Sequence, residues 1–159
     1  MSTRITLVGE KLLAQHKVLA TAESCTGGAL SAAITSVPGS SQWFERGFIT
    51  YSNESKVEML CVRLNTLETY GAVSEETARE MVLGALQNSR ATIAISITGI
   101  AGPDGGTKQK PVGTVCFGWG FHDDIQTCTQ HFSGDRAIIR AQAVEFALGV
   151  LHCRLSDIQ

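Results

Sequence analysis

The stretch that decides the fold is Val18-Leu19-Ala20-Thr21-Ala22-Glu23-Ser24-Cys25-Thr26-Gly27-Gly28-Ala29-Leu30. Val18 to Ala22 is a short apolar run of the length that suits a buried strand. Residues 27–36, with Ala29, Leu30, Ala32, Ala33 and Ile34, suit a helix packed closely on a sheet. At the junction, Ser24, Cys25 and Thr26 precede two glycines. Candidate nucleophiles therefore stand beside backbone N–H groups at a helix N-terminus, a place that stabilises a bound anion or a developing oxyanion.

Working outward, Ile5, Val8 and Leu12 lie at helical spacing and predict an amphipathic helix over residues 3–15. Pro38-Gly39-Ser40-Ser41 breaks the helix of residues 27–36. Phe48-Ile49-Thr50-Tyr51 is rich in strand formers. Ser52 or Asn53 then caps a short helix whose Val57, Leu60 and Cys61 share a face. Ser74-Glu75-Glu76 starts a helix with an apolar stripe of Ala78, Met81, Val82, Ala85 and Leu86. Ile93 to Ile97 reads as a strand and Gly99 to Lys110 as a glycine-rich loop. Val112 to Phe121 and Ile125 to Phe132 read as two strands of a hairpin turning near His122-Asp123-Asp124. Asp135 caps a last helix to about Arg154, with Ile139, Ala143, Phe146, Ala147 and Val150 inward. The order α-β-α-β-α-α-β-β-β-α predicts a single-domain α/β fold, a three-layer-like sandwich with a mixed β-sheet covered by helices. The 159 residues carry no repeat or linker, so one domain over residues 1–159 is expected.

The net charge of −2 speaks against a nucleic-acid-binding module, which usually shows a basic stripe. No apolar run approaches the ~20 residues of a membrane span, and no signal peptide is visible. A cytoplasmic setting is expected. The five cysteines, Cys25, Cys61, Cys116, Cys128 and Cys153, show no C-x-x-C spacing and read mostly as buried small hydrophobes. No two of the four histidines share metal-ligand spacing on one helix face, so no metal site is expected.

Ser24 reads either as a nucleophile exposed at the strand-to-helix turn or as a plain N-cap. As a nucleophile it would face a nest of N–H groups at Thr26, Gly27 and Gly28. Cys25 reads as an alternative nucleophile or as a buried thiol. A serine needs a base, and Tyr51-Ser52-Asn53-Glu54-Ser55-Lys56 offers one. Lys56, in the first turn of a helix, faces the positive end of the helix dipole, which favours its neutral form. The other reading is an exposed lysine and a core tyrosine. Thr98-Gly99-Ile100-Ala101-Gly102-Pro103-Asp104-Gly105-Gly106 matches neither dinucleotide motif, yet its glycines let backbone amides approach a ligand. Asp104 reads as a turn residue. Arg136 and Arg140 lie near the positive end of the last helix, where they form either a phosphate clamp or a pair of solvated or salt-bridged arginines.

Taken in order, these segments resemble the CinA C-terminal-domain family of nicotinamide-nucleotide amidases. The resemblance rests on Ala22-Glu23-Ser24-Cys25-Thr26-Gly27-Gly28, Gly39-Ser40-Ser41 with Trp43-Phe44, and Gly47-Phe48-Ile49-Thr50-Tyr51-Ser52-Asn53 with Lys56. It continues through Gly71-Ala72-Val73-Ser74, Thr98 to Pro103 with Gly105-Gly106, Lys110 to Val115, and Gly134-Asp135-Arg136 with Arg140. It covers nearly the whole chain. It implies hydrolysis of the carboxamide of nicotinamide mononucleotide to nicotinate mononucleotide and ammonia, in pyridine-nucleotide salvage. The family's serine, tyrosine and lysine fall on Ser24, Tyr51 and Lys56. The expected substrate-binding set is Thr26, Gly27, Gly28, Asn53, Thr98, Gly99, Ile100, Ala101, Gly102, Arg136 and Arg140. No cofactor or metal is implied, the partner is a small pyridine nucleotide, and a homo-oligomer is expected. Longer family members carry an extra N-terminal nucleotide-binding domain, for which this chain has no room. A second reading from another class is a non-catalytic nucleotide-binding module built from the same loops and arginines.

Overall fold

In the computed structural model, which describes residues 2–157, the chain runs α1 (Ser2–Ala14), β1 (Leu19–Glu23), α2 (Ala29–Thr35), a 3-10 turn (Ser40–Gln42) and β2 (Phe44–Ile49). It continues through α3 (Asn53–Leu60), α4 (Leu64–Tyr70), α5 (Glu75–Gln87), β3 (Ile93–Gly99), β4 (Thr114–Phe121), β5 (Asp124–His131) and α6 (Arg136–Ser156). The strands form one mixed sheet in the order β2-β1-β3-β4-β5. β1 is parallel to both β2 and β3, and β3-β4-β5 is antiparallel.

Alternation along the central strands sorts side chains into two cores. Leu19, Ile93, Ile95, Ile97, Val115 and Phe117 face α1, α2 and α6 and meet Ile5, Val8, Leu30, Ile34 and Leu148. Ala20, Ala22 and Ala94 face α3, α4 and α5 and meet Leu60, Leu67, Met81 and Val82. Helices thus cover both faces of the mixed sheet, as the element order predicts.

Several local readings shift. β2 starts at Phe44 and ends at Ile49, so Tyr51 lies beyond the strand. β2 is an edge strand, which need not be apolar, and it carries the ion-paired Glu45 and Arg46. On α3 the buried residues are Lys56 and Leu60, whereas Val57 and Cys61 are exposed. Among the cysteines, Cys25 and Cys116 are buried, Cys128 is half-buried, and Cys61 and Cys153 are exposed. Helix α4 has no counterpart in the sequence reading because its cap is tertiary. The Glu80 carboxylate on α5 accepts from Arg63 N–H at 2.8 Å and from the Thr66 hydroxyl at 2.6 Å. At the α3–α5 crossing, a Cβ on Gly84 would stand 1.9 Å from the Leu60 carbonyl oxygen, so only glycine allows that approach.

The sheet has a topological switch at β1. The chain leaves β1 through α2 to β2 on one side, and returns through α3 to α5 to β3 on the other. In open parallel sheets the crevice outside the strand carboxyl ends at such a switch is where ligands bind. Ser24 follows the carboxyl end of β1, Tyr51 that of β2, and the segment 100–113 that of β3.

Candidate active site

At the switch point Lys56 Nζ lies 3.0 Å from Ser24 Oγ. Lys56 is 1 % exposed and Ser24 is also buried. Ser52 caps α3 by accepting from Ser55 N–H, and this start turns Lys56 inward over the end of β2. Around the amine stand the carbonyl oxygens of Thr50 at 2.8 Å, Tyr51 at 3.4 Å and Ser52 at 3.5 Å. Burial pulls the Lys56 amine down from its ordinary 10.5 to about 8. Desolvation of the buried amine is the leading cause, whereas the sequence pointed to the helix dipole. A neutral amine can donate two N–H groups to the carbonyls and turn its lone pair toward the serine hydroxyl.

Ser24 is held by its own backbone. Its N–H continues the sheet ladder to Ile97 O at 2.9 Å, and its carbonyl accepts from Gly27 N–H at 3.0 Å. Gly27 and Gly28 adopt φ of +57° and +98°, which a residue with a Cβ rarely takes. Cys25 lines the same cavity, but burial pushes its thiol up to about 11. The thiol is thereby held protonated at neutral pH, whereas the Ser24 hydroxyl has the Lys56 amine at 3.0 Å to take its proton.

The cavity has a volume of about 270 Å³. Its floor is Ser24, Cys25 and Lys56; Tyr51 and Asn53 form one wall, and Ala72 and Val73 another. Thr98, Gly99, Ile100, Ala101 and Gly102 form the side contributed by β3, continued by Asp104 and Gly105. Arg136 reaches over from α6, donating to Gly102 O at 2.7 Å and to the Tyr51 hydroxyl at 3.0 Å.

Residues 2–155 match the family model of the CinA C-terminal domain. This chain belongs to the CinA C-terminal domain family. Among its relatives, the nicotinamide-nucleotide amidohydrolase PncC of Enterobacter agglomerans is 53 % identical over 142 residues, 89 % of this chain and 87 % of that protein. PncC of Escherichia coli K12 is 52 % identical over 145 residues, 91 % of this chain and 88 % of that protein. The crystal structure of competence damage-inducible protein A from Klebsiella pneumoniae superposes with a TM-score of 0.96 at 39 % identity, covering 99 % of this chain and 98 % of that one.

In this CinA-family chain the expected site residues divide into two groups. Ser24, Lys56, Tyr51, Asn53, the Thr98–Gly102 segment and Arg136 converge on the cavity. Thr26, Gly27, Gly28 and Arg140 are absent from its lining. The Gly28, Leu30 and Ser31 N–H groups and the Ser31 hydroxyl all donate to the buried Glu23 carboxylate, at 2.7–3.0 Å. The helix N-terminus that the sequence offers as an anion site is filled by the chain's own anion. Arg140 donates to Cys25 O at 3.1 Å and Thr26 O at 2.8 Å. Tyr51 is 60 % exposed, with its hydroxyl on Arg136. Sequence reasoning missed the Ala72-Val73 wall, although both residues stand in a quoted motif block. It also missed the role of Glu23, the acid immediately before the serine.

Proposed function

We propose that this protein hydrolyses the carboxamide of nicotinamide mononucleotide to nicotinate mononucleotide and ammonia, with Ser24 as nucleophile and Lys56 as its base. The observation that carries this reading is the buried amine at 3.0 Å from the serine hydroxyl, depressed by burial toward neutrality. The amidohydrolase names of relatives at more than half identity support the substrate class.

Lys56 takes the Ser24 proton directly as Oγ attacks the amide carbonyl. Tyr51 is not needed as a relay, since its hydroxyl faces Arg136 and Nζ already reaches Oγ. The oxyanion is met by backbone donors that have no other work. Among the described residues, the N–H groups of Ala101 and Gly102 make no hydrogen bond within the chain, and both residues line the cavity. Lys56 then returns the proton to the leaving ammonia, and water cleaves the ester on Ser24. Arg136, exposed at the cavity mouth beside Tyr51 and Asn53, receives the 5′-phosphate. Ammonia release from the mononucleotide tests the reading. Ser24→Ala lowers it roughly 10³-fold or more with the fold intact; full activity in that variant refutes the assignment.

A further inference from the structure

We propose that Arg140 is a positioning residue that holds the turn bearing Ser24, and not a ligand of the substrate phosphate; this rests on the amidase reading above. Arg140 lies one turn beyond Arg136 on α6 and is half-buried between Ile139 and Ala143, both of which pack in the core. Its Nε and one terminal nitrogen are spent on the carbonyls of Cys25 and Thr26. Those are the first two carbonyls after the nucleophile's own. Each carbonyl shares a rigid plane with the next residue's N–H, so holding it fixes that N–H in the opposite direction. Arg140 thereby sets the planes of the Cys25–Thr26 and Thr26–Gly27 peptides. The Gly27 N–H so directed is the one that closes onto Ser24 O at 3.0 Å.

Glu23 completes the hold from the other end, taking the N–H groups of Gly28, Leu30 and Ser31. A cation thus fixes carbonyls of the turn, and an anion fixes the N–H groups where the turn enters α2. Between them the Ser24 backbone has one orientation, in which Oγ stands at Lys56 Nζ. Of the two arginines at the start of α6, only Arg136 lines the cavity.

The experiment measures steady-state ammonia release and Ser24 labelling by a fluorophosphonate. In the labelling step the Ser24 Oγ–phosphorus bond forms, fluoride leaves, and Lys56 takes the hydroxyl proton. A nucleophile displaced by about 1 Å loses about 10²-fold. Arg140→Ala should therefore lower kcat about 10²-fold with KM within about threefold, and lower the labelling rate by a similar factor. Added guanidinium should restore part of both. Arg140→Lys, which keeps a donor but not the fork, should lose about tenfold in kcat with KM unchanged and carries the test if the alanine variant does not fold. A raised KM with kcat retained, or unchanged labelling, overturns the proposal. If the wild type is labelled at Ser24 but releases no ammonia from the mononucleotide, the amidase reading fails, and the labelling rates alone decide the role of Arg140.

Discussion

Replacing Lys56 by Met separates the electrostatics of the site from its packing. Methionine is unbranched, similar in length and apolar, so the side-chain space between Ser24 and the Thr50 carbonyl stays filled. Wild-type Lys56 has a folded-state pKa of about 8, below the ordinary 10.5 of the unfolded chain. Between those values the unfolded state binds more protons, so stability rises with pH across that window. Below pH 8 the native state carries a buried charge at a cost of about 3 kcal/mol, from about 1.4 kcal/mol per pKa unit. By pH 10 about 2.5 kcal/mol of this is relieved. Lys56→Met carries no such charge. It does forfeit the hydrogen bond to Thr50 O, about 1 kcal/mol at every pH. The variant is therefore more stable than the wild type by roughly 1–2 kcal/mol at pH 6.5, and the wild type gains about 2.5 kcal/mol on it by pH 10. Urea unfolding of both proteins at the two pH values measures the difference, and the constant hydrogen-bond loss cancels from its change with pH. The same amine governs activity. Wild-type kcat/KM should rise with pH to a plateau above about 8, and Lys56→Met should lose 10²-fold or more. A stability difference that does not vary with pH refutes the burial argument, and ammonia release at the wild-type level in Lys56→Met refutes the base.

Arg136→Ala should raise KM for the mononucleotide about 10-fold or more while leaving KM for the corresponding nucleoside unchanged; equal losses for both would place the phosphate elsewhere. Gly84→Ala drives a Cβ into the Leu60 carbonyl and should cost about 3 kcal/mol, seen as a fall of roughly 6–12 °C in Tm. An unchanged Tm there would mean that α3 and α5 separate without penalty.

Much of this protein is legible in its sequence because the features are local. The apolar spacing of α1 and α5, the caps at Ser74 and Asp135, the start of α3 at Ser52 or Asn53, and a hairpin turn near His122 depend only on near neighbours in the chain. The motif blocks around Ser24, Tyr51 and Lys56 pick out the candidate residues in the same way, without stating how they meet. What the tertiary structure alone decided is how each polar group is used. Helix α4 begins where Glu80 from another helix supplies its cap. Glu23 occupies the N–H groups that the local pattern offers to a ligand. Arg136 reaches the cavity while Arg140, one turn away, is consumed by carbonyls of a distant turn. Lys56 is driven toward neutrality by burial among groups distant in the chain. Desolvation and hydrogen-bond satisfaction are set by everything within a few ångströms, and most of that lies far away along the chain.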